Sequence, residues 1–132
     1  MKNIKRASLW VACAAVLTGG AFAANERVSA TPQDVFDSMR EVFRADKAAG
    51  IHARYQWEIT GAHGGNWWIE VNDGKMRMGK GKIDAPNVTF VVSDHDWVAI
   101  SNNQLSGVWA VMTGRMKIRG DKGVARKLDE MF

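Results

Sequence analysis

The chain ends in Gly114-Arg-Met-Lys-Ile-Arg-Gly-Asp-Lys-Gly-Val-Ala-Arg-Lys-Leu-Asp-Glu-Met-Phe132, and this stretch decides the fold. It combines a short basic strand over residues 116–119 with a turn and helix N-cap at Gly120-Asp121. The helix that follows has apolar positions at helical spacing. Its predicted buried face consists of Val124, Ala125, Leu128, Met131 and Phe132.

Four more strands are predicted upstream of this unit. From Ala53 to Thr60 apolar and polar residues alternate, which indicates a half-buried strand. A second strand around Ile69 and a third around Met78 are joined by a strong hairpin turn at Asp73-Gly74, so the three strands form an antiparallel meander. The stretch from Val88 to Val92 is apolar enough to be a strand that lies centrally in the sheet.

The first helix is predicted to begin at Thr31-Pro32, where Thr is a good N-cap and Pro suits the first helical position. Val35, Phe36 and Met39 begin its buried stripe, which continues to residues 42 and 43. Gly50 is expected to end this helix in the left-handed conformation.

Two shorter helices are predicted between the fourth and fifth strands. Ser93-Asp94 provides an N-cap and an acidic first turn, with Trp97 and Ile100 facing inward. Apolar residues recur at i, i+3, i+4 and i+7 from Leu105 to Met112, which predicts a second short buried helix. The chain is therefore expected to be an α+β domain with helices covering a five-stranded sheet.

The N-terminus is typical of a secretory signal peptide. A basic segment ends at Arg6, an apolar run covers 7–17, and Ala21-Phe-Ala23 matches a cleavage site. The predicted organisation is a signal peptide over 1–23, a flexible tether over 24–31 and one domain over 32–132, exported to the periplasm or secreted. Cleavage after Val28-Ser-Ala30, an uncleaved membrane anchor, and a lipid-anchored Cys13 are the alternatives.

Removal of the signal peptide changes the charge of the chain. The whole sequence has 18 Lys and Arg against 14 Asp and Glu. Lys2, Lys5 and Arg6 leave with the signal peptide, so the basic residues fall to 15 and the net charge from +4 to +1. This near-neutral balance argues against nucleic-acid binding. The single cysteine, Cys13, leaves too, which excludes thiol chemistry and cysteine metal sites from the mature protein.

The sequence contains little that suggests catalysis. Asp94-His-Asp96 lies on a helix start where successive side chains diverge, so capping explains it better than a metal site. His52 and His63 have no partner near them in the sequence, and no nucleophile elbow, P-loop or dinucleotide motif is present. We therefore expect a protein that is not an enzyme and uses no cofactor or metal.

Several short segments, in the right order, resemble the sterol carrier protein 2 (SCP-2) family of lipid-carrier domains over roughly 32–132. These segments are Gly50-Ile51, Trp57-Glu-Ile-Thr-Gly61, Val71-Asn-Asp-Gly74, Val88-Thr89 with Ser93-Asp94, and Thr113-Gly-Arg-Met-Lys-Ile-Arg-Gly-Asp121. The resemblance implies a mixed, largely antiparallel five-stranded sheet and an apolar tunnel under its helices. It also implies non-catalytic binding of a fatty acyl chain, a sterol or another long apolar molecule, and leaves open whether the protein also transfers it. The export signal, and an end without a peroxisomal tripeptide, depart from the family's usual intracellular setting.

Aromatic and methionine residues on the predicted helix faces are the candidate lipid contacts, although such a stripe alone is more typical of ordinary core. The candidates are Phe36, Met39, Phe43, Trp97, Ile100, Leu105, Trp109, Met112, Leu128, Met131 and Phe132. Basic residues around Lys117 and Arg119 are a candidate for transient contact with an anionic membrane surface. The alternatives are an interaction module without a lipid ligand, and an enzyme using His63 or His95 with a carboxylate.

Overall fold

The computed structural model describes residues 28–132, which form a five-stranded sheet with helices packed on one face. The strands are β1 (His52–Thr60), β2 (Gly65–Asn72), β3 (Lys75–Lys80), β4 (Val88–Ser93) and β5 (Met116–Gly120), in the order β3-β2-β1-β4-β5. β1 and β4 pair in parallel and the other neighbours are antiparallel. The predicted α+β class, the meander and the mixed sheet are confirmed.

Within 28–132 there are four α-helices and one short 3₁₀ helix. They are α1 (Pro32–Val42), the 3₁₀ turn Ala45–Ala48, α2 (Asp94–Ser101), α3 (Gly107–Met112) and α4 (Lys122–Met131). None of these helices is long and apolar enough to cross a bilayer. α1 begins with a complete capping box, in which the Asp34 N–H donates to Thr31 Oγ1 and the Thr31 N–H donates to the Asp34 carboxylate.

The alternation of residues in the strands sets which face of the sheet the helices cover. Tyr55 and Trp57 point to the helices, and the register places Trp67 and Phe90 on either side of Trp57. The opposite face is polar. There Glu70 pairs with Arg54 and Arg77, and hydrogen bonds from Arg77 outweigh the effect of burial and lower the pKa of the Glu70 carboxyl.

The first helix is shorter than predicted. It ends at Val42, because Phe43 adopts an extended conformation and the next residue, Arg44, donates its backbone N–H to the Met131 carbonyl at 2.8 Å. A contact with the C-terminal helix thus replaces the next helical turn. Gly50 is left-handed as predicted, with φ 76°, but it follows the 3₁₀ turn rather than α1.

A helix is present within the predicted range 105–112, but the prediction that it is buried is wrong. α3 begins only at Gly107, and Val108, Trp109 and Met112 are 70%, 57% and 73% exposed. Every residue of α3 after Gly107 is apolar, so the sequence pattern could not identify the one narrow side that packs. That side is Ala110, which is fully buried.

Candidate functional site

Four aromatic rings close the space between strands β1 and β2 and helices α1 and α2. Phe36 of α1 lies 5.1 Å from Trp57, 5.2 Å from Trp67 and 5.7 Å from Trp97, measured between ring centroids. All four side chains are buried. We call this cluster the aromatic core. A hydrocarbon guest could lie in it only by displacing these rings.

Two polar atoms inside the aromatic core have no hydrogen-bond partner. They are the indole Nε1 atoms of Trp57 and Trp97, whose rings are 5.6 Å apart. A buried donor without an acceptor costs about 1–3 kcal/mol. The aromatic core is therefore not fully satisfied by the protein's own side chains.

A second apolar contact joins the end of α1 to the C-terminus. The rings of Phe43 and Phe132 are 5.3 Å apart, and Met131 and Phe132 are buried. The hydrogen bond from Arg44 to the Met131 carbonyl fixes the same junction. These side chains hold α4 against the rest of the helix layer.

Around the buried core lie apolar side chains that are only partly buried, on β5, on α4 and at the end of α2 among other places. Five of these side chains pack against the core but stay only half-buried, and we call this group the β5 side. It consists of Ile100, Leu105, Ile118, Val124 and Leu128. β5 lies at the edge of the sheet, so no further strand lies beyond it.

Tyr55 fixes α4 over this part of the sheet. Its hydroxyl donates to the Val124 carbonyl at 2.9 Å. Burial of the phenol, with a smaller contribution from the Asp121 charge, raises the pKa of Tyr55 far above its ordinary value near 10. The hydroxyl thus remains a donor throughout the neutral pH range.

The eleven candidate lipid contacts do not form one continuous surface. Phe36 and Trp97 are in the aromatic core, and Phe43, Met131 and Phe132 are at the C-terminal junction. Ile100, Leu105 and Leu128 belong to the β5 side, and Met39 is half-buried on α1. Trp109 and Met112 face solvent. The sequence analysis missed Ile118 and Val124 as members of the site, although Ile118 follows the strand alternation that predicts an inward position.

A cleft of about 410 Å³ lies between the start of α1 and helix α2, and its lining includes His63, Asp94 and His95. Both oxygens of Asp94 accept backbone N–H groups, from His63 at 2.9 Å and from His95 at 2.7 Å, and these bonds lower the Asp94 pKa. A Cβ on Gly61 would come within 2.4 Å of the same carboxylate. Asp94 therefore fastens the β1–β2 turn to α2, which is a structural task.

Residues 28–132 contain no cluster of three or more His, Cys, Asp or Glu side chains that could hold a metal ion. The imidazole of His63 lies 3.7 Å from Asp94 and that of His95 lies 3.7 Å from Asp96, and both imidazoles are largely exposed. The carboxylates at the start of α2 thus have separate partners rather than a common one.

Comparison with known proteins places this geometry in context. Hydroxysteroid dehydrogenase-like protein 2 of Mus musculus is 31% identical over 107 residues, which cover 80% of this chain and 21% of that protein. Among solved structures, the sec-alkyl sulfatase Pisa1 from Pseudomonas sp. matches at a TM-score of 0.68 and 19% identity, over 78% of this chain and 16% of the sulfatase. Palmitated SCP2L2 from Aedes aegypti matches at a TM-score of 0.63 and 22% identity, over 76% of this chain and 93% of that one.

These matches cover very different shares of the proteins concerned. The chain spans about a quarter of the length of the first curated relatives that it matches, and most of the length of the Aedes aegypti domain. The profile of the SCP-2 sterol transfer family matches residues 36–132, from α1 to the C-terminal helix. The sheet order, the helix layer and this match agree with the resemblance seen in the sequence, and the chain belongs to the SCP-2 sterol transfer family.

Proposed function

We propose that this protein binds one long apolar molecule, a fatty acyl chain or a lipid of similar shape, at the β5 side. The observation that carries the proposal is the difference in burial between the aromatic core and the β5 side, in a domain of the SCP-2 family. The aromatic core is closed, whereas Ile118 of β5 and Val124 and Leu128 of α4 are apolar residues that stay half-buried. The palmitated state of the Aedes aegypti protein, which shares this fold, supports a fatty acid as the ligand class.

The free energy of such binding is sufficient without specific polar contacts. Burying about fifteen methylenes yields roughly 12 kcal/mol, at about 0.8 kcal/mol each. Association costs at least about 4 kcal/mol. The remaining ~8 kcal/mol corresponds to a dissociation constant near the micromolar range. Selectivity would then depend on the length and width of the site.

The ligand and its location can be tested with a matched pair of Val→Trp variants. Val124→Trp fills the β5 side from α4, whereas Val108→Trp makes the same change on the exposed surface of α3. We expect displacement of a fluorescent fatty acid by palmitate to weaken about tenfold or more in Val124→Trp, because the indole occupies space needed by several methylenes. The affinity of Val108→Trp should stay within about twofold of the wild type, since Val108 is exposed and lies outside the β5 side.

Two results would count against this proposal. One is the absence of displacement in the wild type. The other is an equal loss of affinity in the two variants, since a site at the β5 side cannot be filled from the outer surface of α3. Thermal unfolding of each variant shows whether the fold is intact before affinities are compared.

We further propose that the protein acts after export to the periplasm. The predicted signal peptide lies outside the described residues, so this proposal depends on the sequence. Ser29 supports cleavage after Ala23 rather than after Ala30, because Ser29 is buried and bonded to Asn102, with its N–H donating to the amide oxygen at 2.8 Å. Intact mass measurement of protein from the periplasmic fraction tests this. A mature chain beginning at Ala24 is expected, and protein confined to the cytoplasm with its leader intact would contradict it.

We propose that the domain binds its ligand without catalysing a reaction. The curated relatives are named as dehydrogenase-like, but this chain matches only about a quarter of their length or less. Asp94, one of the two carboxylates that lie 3.7 Å from a histidine, is bonded to two backbone N–H groups. Fatty acid displacement should therefore survive His63→Ala and His95→Ala unchanged. A loss of ligand turnover in either variant, with the fold intact, would support the enzyme alternative.

A further inference from the structure

The α3 surface is the one place in residues 28–132 where large apolar side chains are exposed together. Of the five large hydrophobic residues that are exposed, four are Val108, Trp109, Val111 and Met112, all on α3. Only Ala110 of this helix is buried. Contiguous apolar surface of this kind marks an interaction site, because it otherwise favours aggregation.

The charged residues that flank α3 in the sequence are all positive. From Trp97 to Gly120 the sequence contains no Asp or Glu, and its cations are Arg115, Lys117 and Arg119. Arg119 pairs with Glu58 at 3.0 Å. Arg115 and Lys117 are exposed, and neither forms an ion pair within the described part of the chain. The Arg115 N–H donates to the Ala110 carbonyl at 2.8 Å, so Arg115 adjoins the end of α3, and Lys117 follows two residues further along the edge strand β5.

We propose that α3, Arg115 and Lys117 together dock on a lipid bilayer that contains anionic headgroups. Trp109 combines a large apolar body with one N–H group, the composition that favours the headgroup level of a membrane. Val108 and Met112 would enter the acyl boundary beside it, and the two cations would attract the headgroups. This inference rests on the proposed function, because it places the docking surface beside the β5 side through which a lipid would pass.

A second copy of the chain fits this surface less well. In a symmetric dimer the same patch lies on both subunits, so Arg115 and Lys117 of each copy would approach those of the other. The segment from Trp97 to Gly120 offers no carboxylate to balance them. Like charges placed together across an interface oppose association. An anionic bilayer supplies the missing negative charge and an apolar layer together.

Vesicle sedimentation tests both parts of this surface. The chain beginning at Ala24 retains every described residue, and it would be compared on phosphatidylcholine vesicles with and without phosphatidylglycerol. We expect Arg115→Gln with Lys117→Gln to lower binding to the anionic vesicles about fivefold per charge. Trp109→Ala with Met112→Ala should lower binding about tenfold on both kinds of vesicle. Lys47→Gln with Lys75→Gln, the charge-matched control at exposed sites away from β5, should change little.

Trp109→Phe gives a second readout that does not depend on affinity. The variant keeps an apolar ring but removes the exposed indole. Brominated phospholipids should therefore quench a larger fraction of the fluorescence in the wild type than in Trp109→Phe at equal vesicle binding, since the buried tryptophans are common to both. Quenching that is unchanged in Trp109→Phe would overturn the proposal. Sedimentation that ignores both double substitutions, or a dimer in vesicle-free solution that Trp109→Ala dissociates, would also overturn it.

Fatty acid displacement in vesicle-free solution separates this inference from the proposed function. Palmitate should displace the fluorescent fatty acid from both double variants as it does from the wild type. None of the substituted residues, Trp109, Met112, Arg115 and Lys117, is among the five that define the β5 side. Normal displacement without vesicle binding would reject docking alone. Vesicle binding without displacement would reject the lipid-carrier function alone.

Discussion

Tryptophan has opposite surroundings in two regions of this molecule, the aromatic core and helix α3. In the aromatic core Trp57 is completely buried against Phe36, whereas on α3 Trp109 and Met112 face solvent. The core uses apolar surface to stabilise the fold. The surface of α3 and the β5 side leave apolar surface available to something else. The difference shows that the residue types alone do not distinguish the region that stabilises the fold from the region proposed for binding.

The largest expected effect is the difference in stability between removing an aromatic side chain from the aromatic core and removing one from α3. Phe36→Ala should lower the free energy of unfolding by about 3–5 kcal/mol, because it leaves a cavity among three tryptophans. Trp109→Ala should cost no more than about 0.5 kcal/mol, as for other exposed positions. Urea unfolding measures both. Similar losses in the two variants would mean that α3 is buried in solution and that the comparison fails.

Tyr55 lies between the aromatic core and α4, because its ring is near Trp57 and its hydroxyl bonds to Val124. Its substitution tests how firmly α4 is held. Tyr55→Phe removes the hydrogen bond to the Val124 carbonyl and should cost about 1 kcal/mol of stability. Hydrogen exchange should speed up in α4 more than in α1. A uniform change across both helices would show that the bond does not specifically fix the β5 side.

The same phenol predicts a dependence on alkaline pH. Burial raises the folded-state pKa of Tyr55, so the native state holds this proton more tightly than the unfolded state does. The resulting stabilisation is fully present below the unfolded pKa of about 10 and is lost as pH rises through the folded pKa. Tyr55 is the only tyrosine, so tyrosinate absorbance reports it directly.

Tyrosinate should therefore form in the unfolded protein near pH 10 but not in the native protein at that pH. Tyr55→Phe is the control for the alkaline loss of stability, since lysines titrate in the same range and remain in the variant. Native absorbance that rises with an ordinary midpoint would show that Tyr55 is accessible and that the β5 side is open more widely than the structure indicates.

The smallest expected effect concerns the segment before α1. Asn102 donates to and accepts from the backbone of Ser29, and Asn102→Ala should cost about 1 kcal/mol or less. Limited proteolysis should then cut faster before Thr31, with the aromatic core unaffected. Unchanged proteolysis would indicate that Ser29 is held by other contacts.

The sequence predicts most of the fold because its patterns are local. The alternation in β1 and the Asp73-Gly74 turn specify the meander, and Ser93 and Asp121 mark helix starts where the structure has them. The early end of α1 was not predictable, because it depends on a bond between Arg44 and the distant Met131. The exposure of α3 was missed because the sequence of a helix that is apolar on every side does not show how much of it the neighbouring elements bury.

The candidate site was predictable only in part for the same reason. Leu128 and Ile100 were identified from helical spacing, but that spacing could not separate them from Phe36 and Trp97, which pack on each other. The boundaries at 23 and 31 stay predictions. The hydrogen bonds of Ser29, inside the predicted tether, join residues 72 or 73 positions apart, which no local pattern reveals.

Native mass spectrometry with palmitate tests the central claim most directly. The chain beginning at Ala24 should bind one fatty acid, Val108→Trp should retain it, and Val124→Trp should lose it. A wild type that stays free of ligand at micromolar palmitate, or a Val124→Trp variant that binds as well as the wild type, would contradict an apolar site at the β5 side.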